Sequence, residues 1–299
     1  MLLFIEKTKK LTRLLFNVFL ELFTPTQVVK MSAYFDRDGS LIKKNWGDDI
    51  NYWFLCEISR KKIISYDWSL LARFLHRPYI AGIGSILTLF NMENAIVWGS
   101  GIISGTGIVK GKPKEVRAVR GPLTRKLLLE QGISCPEIYG DPALLISRFY
   151  CPKVEKKYKL GVIAHYTDQN SPFLNTLKND KDVLMIDIKH YSHWLDFIDQ
   201  ICMCEVIASS SLHGLIVSVA YGIPNVWIKL VGSKLTDDFK FHDFFLSLRE
   251  DRDALIISTC VSRDVLVSAC RQMPLNYLDL DALVEVCPLK LKCNHEIEA

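Results

Sequence analysis

The stretch Glu205-Val-Ile-Ala-Ser-Ser-Ser-Leu-His-Gly-Leu-Ile-Val-Ser-Val-Ala-Tyr-Gly-Ile-Pro-Asn-Val-Trp-Ile228 decides the fold of this chain. Residues 206–208 form a short apolar run, which predicts a buried strand. Three serines can then cap an apolar helix, which Gly222 and Pro224 end. Residues 226–228 predict the next strand, so the stretch forms a strand–helix–strand unit.

The first turn of this helix is a candidate anion site. Ser209, Ser210, Ser211 and Leu212 bring hydroxyls and unpaired backbone N–H groups together, and His213 adds an imidazole. A helix N-terminus attracts anions because its N–H groups are unpaired and its peptide dipoles add. An ordinary capped helix with a core histidine remains an alternative.

Composition narrows the possible classes of protein. The 299 residues are 49% hydrophobic with a net charge of +4, which suits two domains. Lys and Arg are scattered, so we expect no nucleic-acid partner. The nine cysteines lack zinc-ligand spacing, so we expect no metal site. Their odd number favours reduced thiols, and we expect a cytoplasmic protein.

Residues 1–30 are predicted to contain a basic amphipathic helix that Pro25 ends. Its apolar run is too short to span a bilayer. Two interpretations remain open. The helix packs on the N-terminal domain, or it lies on the inner face of the plasma membrane as a peripheral contact.

Polar residues precede the next predicted helix, at 52–58, which follows a short predicted strand at 31–34. We expect a turn at Gly47, next to Asn45, with Asp48 or Asp49 capping the helix. Capping alone would explain either aspartate. Both are nevertheless candidate catalytic residues, for the reason given with the family resemblance below.

Glycine turns follow two predicted strands of the first half. Gly84 and Ser85 follow the strand near residue 80, and Gly101 follows the strand at 95–98. We expect a helix directly after the first of these turns. Arg120 leaves the end of a later strand, and Pro122 fits the first turn of the helix after it. In open α/β sheets, ligands bind at such strand ends.

Strands and helices alternate twice along the chain. The first alternation covers residues 31–150. The second covers 151–299 and includes a strand with His165 at its carboxyl end. This pattern predicts an α/β fold of two doubly wound domains that face each other across a cleft.

Four motifs in order resemble the polysaccharide pyruvyl transferase family: Asn45-Trp-Gly-Asp-Asp-x-Asn51, Val119-Arg-Gly-Pro-Leu-Thr124, Gly140-Asp-Pro142, and Ser209-Ser-Ser-Leu-His-Gly214 with Gly222-Ile-Pro224. The resemblance covers residues 31–245. It implies a GT-B-like fold of two Rossmann-type domains, with the acceptor on the first and the donor on the helix terminus of the second. The implied donor is phosphoenolpyruvate, without a further cofactor. The implied product is a cyclic pyruvate ketal on a lipid-linked or polymeric sugar of a capsule, exopolysaccharide or cell-wall precursor.

The resemblance also assigns roles. Arg120 matches the anion-binding arginine of the family, and with the helix terminus it would clamp the donor. His213 would move a proton, with His165 as a more distant candidate, and Asp48 or Asp49 would face the positive charge that develops on the central carbon. The expected substrate-binding residues are Arg120, Ser209, Ser210, Ser211, Leu212, Asn45, Gly47, Gly84, Ser85 and Gly101.

One position departs from the family pattern. Ser211 stands where the family commonly has an arginine, which removes a partner for a carboxylate or phosphate. Arg117 or a lysine between residues 229 and 240 could compensate.

Two other functions remain open. A glycosyltransferase that uses a nucleotide sugar would share the architecture, although its usual acidic ribose-binding residue is not evident. An inactive sugar-phosphate-binding subunit is the third, and Ser211 keeps it open.

Overall fold

The computed structural model describes residues 2–35, 41–43, 45–233, 237–258 and 261–291. Within these residues lie twelve strands and ten α-helices. The strands are β1 Thr26–Lys30, β2 Tyr34–Phe35, β3 Leu41–Ile42, β4 Lys62–Ser65, β5 Tyr79–Ala81, β6 Ala95–Trp98, β7 Glu115–Ala118, β8 Tyr158–Ile163, β9 Val183–Ile186, β10 Cys204–Ser209, β11 Asn225–Leu230 and β12 Leu255–Ile257. The helices are α1 Leu2–Phe23, α2 Trp46–Ser59, α3 Leu70–Phe74, α4 Pro122–Glu130, α5 Pro172–Leu177, α6 Trp194–Cys202, α7 Leu212–Ala220, α8 Phe239–Ser247, α9 Arg263–Ala269 and α10 Leu280–Glu285. Short 3₁₀ helices cover Tyr66–Trp68 and Pro142–Arg148.

Two parallel sheets carry the fold. In the described part of the chain each has five strands, in the orders β4-β1-β5-β6-β7 and β12-β11-β10-β8-β9. Counted from the first strand of each domain, both orders are 2-1-3-4-5, the arrangement of a doubly wound sheet. The predicted α/β class with two parallel-sheet domains is therefore confirmed. The domain boundaries at 30 and 150 stay predictions.

Several local expectations are wrong. The first strand is β1 at Thr26–Lys30 rather than at 31–34, and no helix follows the turn at Gly84, where the chain makes bends and turns. Before Pro142 the chain pairs with the first sheet through a single bridge between Val119 and Tyr139. We did not predict α3, α5, α10 or β12, which are short and carry too few residues for a periodic signal.

Helix α2 begins differently from the sequence-based expectation. Asn45 is its N-cap, with its side-chain oxygen accepting a bond from Gly47 N at 3.3 Å. Gly47 lies inside the first turn, so the predicted turn at Gly47 and the predicted caps Asp48 and Asp49 are wrong. Both aspartates instead lie in the first turn, where negative charge is favourable against the helix dipole.

Helix α1 packs on the first domain through a narrow face. Leu20 is buried, Asn17 Nδ2 donates to the Trp68 carbonyl at 2.9 Å, and Ser69 Oγ donates to Glu21 at 2.7 Å. Large apolar side chains remain exposed on its other face: Leu11, Leu15, Phe16, Phe19, Leu22 and Phe23. Among the described residues, no helix is long and apolar enough to cross a membrane.

A buried ion pair joins the two domains. The Arg120 and Asp243 side chains are both 0% exposed, with Nη2 2.9 Å from Oδ2. Asp243 also accepts from the backbone N–H and the hydroxyl of Thr124 at 2.8 and 2.7 Å. Thr124 lies in the first turn of α4, so a carboxylate from α8 of the second domain satisfies the N-terminus of a helix of the first.

Two tryptophans make further contacts between the domains. Trp46 at the start of α2 donates through Nε1 to the Trp194 carbonyl at 2.7 Å and stacks on Phe197. Trp98 of the first sheet donates to the Leu283 carbonyl of α10 at 2.9 Å. The chain therefore returns to the first domain near its carboxyl end.

We expect Asp243→Asn to lower the free energy of unfolding by about 3–5 kcal/mol, because it leaves the buried Arg120 charge uncompensated. Equilibrium unfolding in urea measures this. Glu130→Gln is the control, since its pair with Lys126 is exposed on both sides and contributes only about 0.3–0.5 kcal/mol. An unchanged urea midpoint for Asp243→Asn would contradict a stabilising role for the pair.

Candidate functional site

A cavity of about 180 Å³ lies between the two sheets. Both domains contribute side chains to its wall, which contains polar, charged and apolar groups. It is lined by Ser32, Asn45, Asp48, Ser85, Ile86, Leu89, Ile103, His165, Tyr166, Ser211, Leu212, His213 and Lys240.

The cavity lies at the switch point of both sheets. In the first sheet, β1 and β5 are neighbours whose last residues, Lys30 and Ala81, are in register. In the second sheet, β8 and β10 are neighbours, and Ile163 pairs with Ser209. The crevice beyond such a strand pair is where doubly wound sheets bind ligands. Most of the lining residues lie in or next to the loops that follow these four strands. This is why several residues predicted from the sequence line the cavity.

His213 is held against Gly47 of the other domain. A Cβ on Gly47 would lie 2.1 Å from His213 Nδ1, so only glycine permits this approach. His213 Nε2 is buried and has no hydrogen-bond partner among the described residues. Burial, with Lys240, Arg120 and His165 nearby, lowers the pKa of His213 to about 3. The imidazole is therefore neutral at pH 7, with one nitrogen available to a ligand.

The two aspartates of α2 have different surroundings. Asp48 lines the cavity, where Ser32 Oγ donates to Oδ1 and Asn45 Nδ2 donates to Oδ2 at 2.7 Å. Burial raises its pKa, although these two bonds oppose the shift. Asp49 is fully buried behind the cavity and accepts from the Tyr191 hydroxyl at 2.7 Å. The structure thus brings Asp48 together with His213 and places Asp49 in the domain interface.

The three serines before α7 have two different roles. Ser209 and Ser210 are bonded within the protein: Ser209 Oγ donates to the Ser211 carbonyl at 2.8 Å, and Ser210 Oγ accepts from the His165 N–H at 2.8 Å. Ser211 is the N-cap of α7 and lines the cavity, but its side chain makes no capping bond. Ser211 therefore presents the open helix terminus to the cavity, and the other two shape the loop.

Arg120 lies behind the cavity wall. Its Nε and Nη2 bond Asp243, Nη2 also donates to the Ile102 carbonyl at 2.7 Å, and Nη1 donates to Ser85 Oγ. A Cβ on Gly101 would lie 2.3 Å from the guanidinium carbon, so Gly101 makes room for it. Arg120 thus reaches the cavity through Ser85, and direct binding of a donor by Arg120 stays a prediction. Gly84, with φ of 105°, forms the turn before Ser85.

Lys240 of α8 is the cation that lines the cavity. No carboxylate in the described chain lies within salt-bridge distance of its ammonium, which lies 5.2 Å from the centroid of the Phe241 ring. Burial and the nearby Arg120 lower its pKa to about 8, while Asp48, Asp168 and Asp237 oppose this shift. Lys240 therefore remains mainly protonated at pH 7. Ser211 lines the same cavity.

Sequence reasoning named Lys240 only as the end of a range and missed Ser32, Ile86, Leu89, Ile103 and Tyr166. Ser32 and Tyr166 follow the ends of β1 and β8, so the rule that ligands bind at strand ends could have found them. Arg117 does not line the cavity, since its Nη1 donates to the Val286 carbonyl at 3.4 Å. Lys229 pairs with Asp238, and Lys234 is outside the described residues.

Metal ligation has no support in the described part of the chain, where no group of three or more His, Cys, Asp or Glu side chains could hold an ion. His165 Nδ1 lies 2.8 Å from Thr167 Oγ1, and burial lowers the pKa of His165 to about 3. His165 therefore adds a neutral ring to the wall.

The fold and the site define a two-domain α/β protein whose cavity between the sheets is lined by one cation, Lys240, one carboxylate, Asp48, and two neutral imidazoles. The model of the polysaccharide pyruvyl transferase family matches residues 45–230, and the chain belongs to this family. The match confirms the resemblance carried by the four motifs.

Two curated relatives are similar to the chain. An uncharacterized protein of Acanthamoeba polyphaga mimivirus is 33% identical over 184 residues, which cover 60% of this chain and 63% of the relative. The succinoglycan biosynthesis protein ExoV of Rhizobium meliloti (strain 1021) is 27% identical over 217 residues, 68% of this chain and 61% of the relative. The chain thus spans less than two thirds of either relative. No solved structure matches it significantly.

We expect Gly47→Ala to displace the His213 ring and to lower turnover on the order of 10²-fold, because a misplacement of about 1 Å has this effect on a reacting group. Steady-state phosphate release from phosphoenolpyruvate measures it. Gly82→Ala is the matched control, since its Cβ would meet only ordinary contacts of 3.5 Å or more. Full activity in Gly47→Ala would show that the position of His213 does not matter to the reaction.

Proposed function

We propose that the protein transfers pyruvate from phosphoenolpyruvate to a sugar of a polysaccharide or its precursor and forms a cyclic ketal. The cavity at both switch points carries this proposal, because it combines an unpaired ammonium, an open helix terminus, an imidazole and a carboxylate. Family membership and the name of the ExoV relative support it. The same proposal includes a GT-B-like arrangement of the two sheets, with the donor against α7 and the acceptor against α2.

The size of the cavity favours a small donor. Sites for drug-sized ligands measure about 300–1,000 Å³, whereas this cavity measures about 180 Å³. Phosphoenolpyruvate has three carbons and two anionic groups, which suit a small space that holds the Lys240 ammonium and the N-terminus of α7. A nucleotide sugar would need room for a base, a ribose and a sugar. The glycosyltransferase alternative is therefore less well supported than pyruvyl transfer.

The reaction balances without a further reactant. Two sugar hydroxyl oxygens form bonds to the central carbon of the donor, and the bond between that carbon and the phosphate oxygen breaks. Of the two hydroxyl protons, one ends on the methylene carbon, which becomes a methyl group, and the other leaves with the phosphate. The protein has to move these protons and stabilise the positive charge that develops on the central carbon.

Different residues of the cavity would carry out these steps. Lys240 and the N-terminus of α7 at Ser211 bind the anionic groups of the donor. A bound anion opposes the effect of the surrounding cations on His213, so the pKa of the imidazole rises and it can give a proton to the methylene carbon. Asp48 accepts a hydroxyl proton and faces the positive charge. Arg120 orients Ser85 from behind the wall.

Incubation of the purified protein with phosphoenolpyruvate and a panel of p-nitrophenyl glycosides tests the function. Phosphate release, together with an acceptor mass increased by pyruvic acid less one water, supports pyruvyl transfer. Release of a nucleoside diphosphate from nucleotide sugars would favour the glycosyltransferase. Binding of phosphoenolpyruvate without turnover on any acceptor would favour an inactive binding subunit.

We expect kcat/KM for phosphoenolpyruvate to fall above about pH 8, because Lys240, with its pKa lowered to about 8, loses its proton there and no longer attracts the donor. Well below a pH of about 8 the Lys240 ammonium is fully charged, so its attraction for the donor no longer changes with pH. In Lys240→Arg the decline should vanish, since arginine stays charged. Lys240→Met should lower kcat/KM at every pH, and an unchanged alkaline limb in Lys240→Arg would assign the titration to another group.

We also propose that the protein contacts a membrane, where a lipid-linked acceptor would lie. Each residue turns a helix by about 100°, so the exposed apolar side chains of α1 fall within an arc of about 140°. Lys7 and Lys9 flank this arc, and Phe74 of the adjoining α3 is also exposed. Apolar side chains flanked by cations suit the interface of an anionic bilayer. The cysteines that the structure describes form no disulfide with one another, which supports the proposed cytoplasmic location.

We expect the protein to co-sediment with vesicles that contain phosphatidylglycerol, and less at high salt, because exposed charges are screened within about a Debye length. The double variant Phe19→Gln, Leu22→Gln should lose this binding. Ile108→Gln, which also changes an exposed apolar residue, should retain it. A dimer in size-exclusion chromatography that dissociates in the double variant, without vesicle binding, would instead make this face a contact between copies.

A further inference from the structure

A second cavity, of about 260 Å³, lies beneath α1. We call it the α1–α2 cavity, and its wall comes from α1, α2, β3, β4 and the segment that follows each strand. It is lined by Arg13, Asn17, Leu20, Leu41, Lys43, Tyr52, Trp53, Lys62, Ile63, Ile64, Ser65 and Trp68. None of the roles assigned above uses it.

The charged side chains among the described lining residues are all cations. Among the described residues of this lining are Arg13, Lys43 and Lys62, and no Asp or Glu. Lys43 Nζ donates to the Tyr191 carbonyl at 3.1 Å and to the Ser192 carbonyl. Arg13 and Lys62 have no ion pair within the ranges that the structure describes. Such a concave surface raises the local concentration of anions.

Aromatic rings complete the wall. Tyr52, Trp53 and Trp68 line the cavity and are half-buried, so each keeps part of its ring accessible. The C–H faces of a pyranose ring are apolar and pack against aromatic faces, and the tyrosine hydroxyl and indole N–H can bond its hydroxyls. Cations together with flat rings therefore suit a sugar that carries an anionic group, rather than a simple ion or a lipid tail.

Helix α2 lines both this cavity and the cavity of about 180 Å³ between the sheets, which we call the donor cavity because the proposed function places phosphoenolpyruvate there. Asn45 and Asp48 line the donor cavity, and Tyr52 and Trp53 line the α1–α2 cavity. Asp48 and Tyr52 are four residues apart on one face of the helix, a rise of about 6 Å. A sugar whose two hydroxyls lie at Asp48 would thus extend its next group towards Tyr52 and the cations beyond it.

We infer that the α1–α2 cavity binds the phosphate-bearing end of a phosphorylated sugar acceptor. This inference rests on the proposed function for the identity of the acceptor, but the site itself rests on the side chains that line it. It also lies under the helix whose outer face is proposed to contact a membrane, where a sugar linked to lipid through phosphate would be presented.

Isothermal titration with galactose 1-phosphate, methyl galactoside and inorganic phosphate tests the site without turnover. Galactose 1-phosphate should bind more tightly than either fragment. Lys62→Gln should weaken it about tenfold, the size of one charge-assisted hydrogen bond, and Lys61→Gln, next in the chain but outside the lining, should not. Trp68→Leu should weaken galactose 1-phosphate and leave phosphate unchanged. Circular dichroism melting confirms that each variant is folded.

The donor cavity is the competing location for the same anion, and Lys240→Met separates the two. Binding that survives Lys240→Met and is lost in Lys62→Gln supports the inference, even if no pyruvyl transfer is ever detected. Binding lost only in Lys240→Met, absent in the wild type, or equal for all three probes overturns it. If transfer is found but Lys62→Gln leaves both binding and the acceptor KM unchanged, the inference fails while the proposed function stands.

Discussion

The buried ion pair between Arg120 and Asp243 is the contact on which the rest of the site depends. Both charges are fully removed from water, which is favourable only because each is bonded more than once. Its geometry fixes both walls of the donor cavity. Arg120 holds Ser85 on one side. Asp243 anchors α8, and Lys240 lies three residues earlier on that helix, on nearly the same face. A charge pair between the domains thereby sets the position of the free cation.

The donor cavity brings two basic groups, Lys240 and His213, together in a buried space. Burial lowers the pKa of both groups, to about 8 for Lys240 and about 3 for His213, and the neighbouring Arg120 lowers both further. An anion in the cavity would stabilise the protonated forms of Lys240 and His213. Binding of an anion would therefore offset the unfavourable effect of placing these basic groups close together. Under the proposed function, the cation of this cavity comes from α8 through Lys240 rather than from an arginine at position 211.

The sequence predicted the parts of the fold that depend on local pattern. Parallel strands are buried on both faces and appear in the sequence as apolar runs, so β6, β10 and β11 were predicted correctly, and so was the apolar helix α7 that ends before Gly222 and Pro224. The residues that were misinterpreted or overlooked have roles that depend on contacts between parts of the chain that are distant in sequence. Gly47 was interpreted as a turn because glycine favours turns, whereas its small size admits His213 from the other domain. Lys240 carries no local signal, because its importance arises only when α8 packs on α4.

Helix α2 limits how the donor cavity can open. Trp46 at its start is fully buried in the second domain, bonded to Trp194 and stacked on Phe197, and Asp49 is bonded to Tyr191 of the same domain. Moving the two sheets apart at this point would expose a tryptophan and break the hydrogen bond between the Tyr191 hydroxyl and the buried Asp49, and both changes are unfavourable. Under the proposed function, donor and acceptor would therefore enter past the loops that follow β1, β5 and β8 rather than through separation of the domains. Because α2 lines both cavities, one helix sets the distance between them, and in the proposed reaction it would hold an acceptor hydroxyl in place relative to His213.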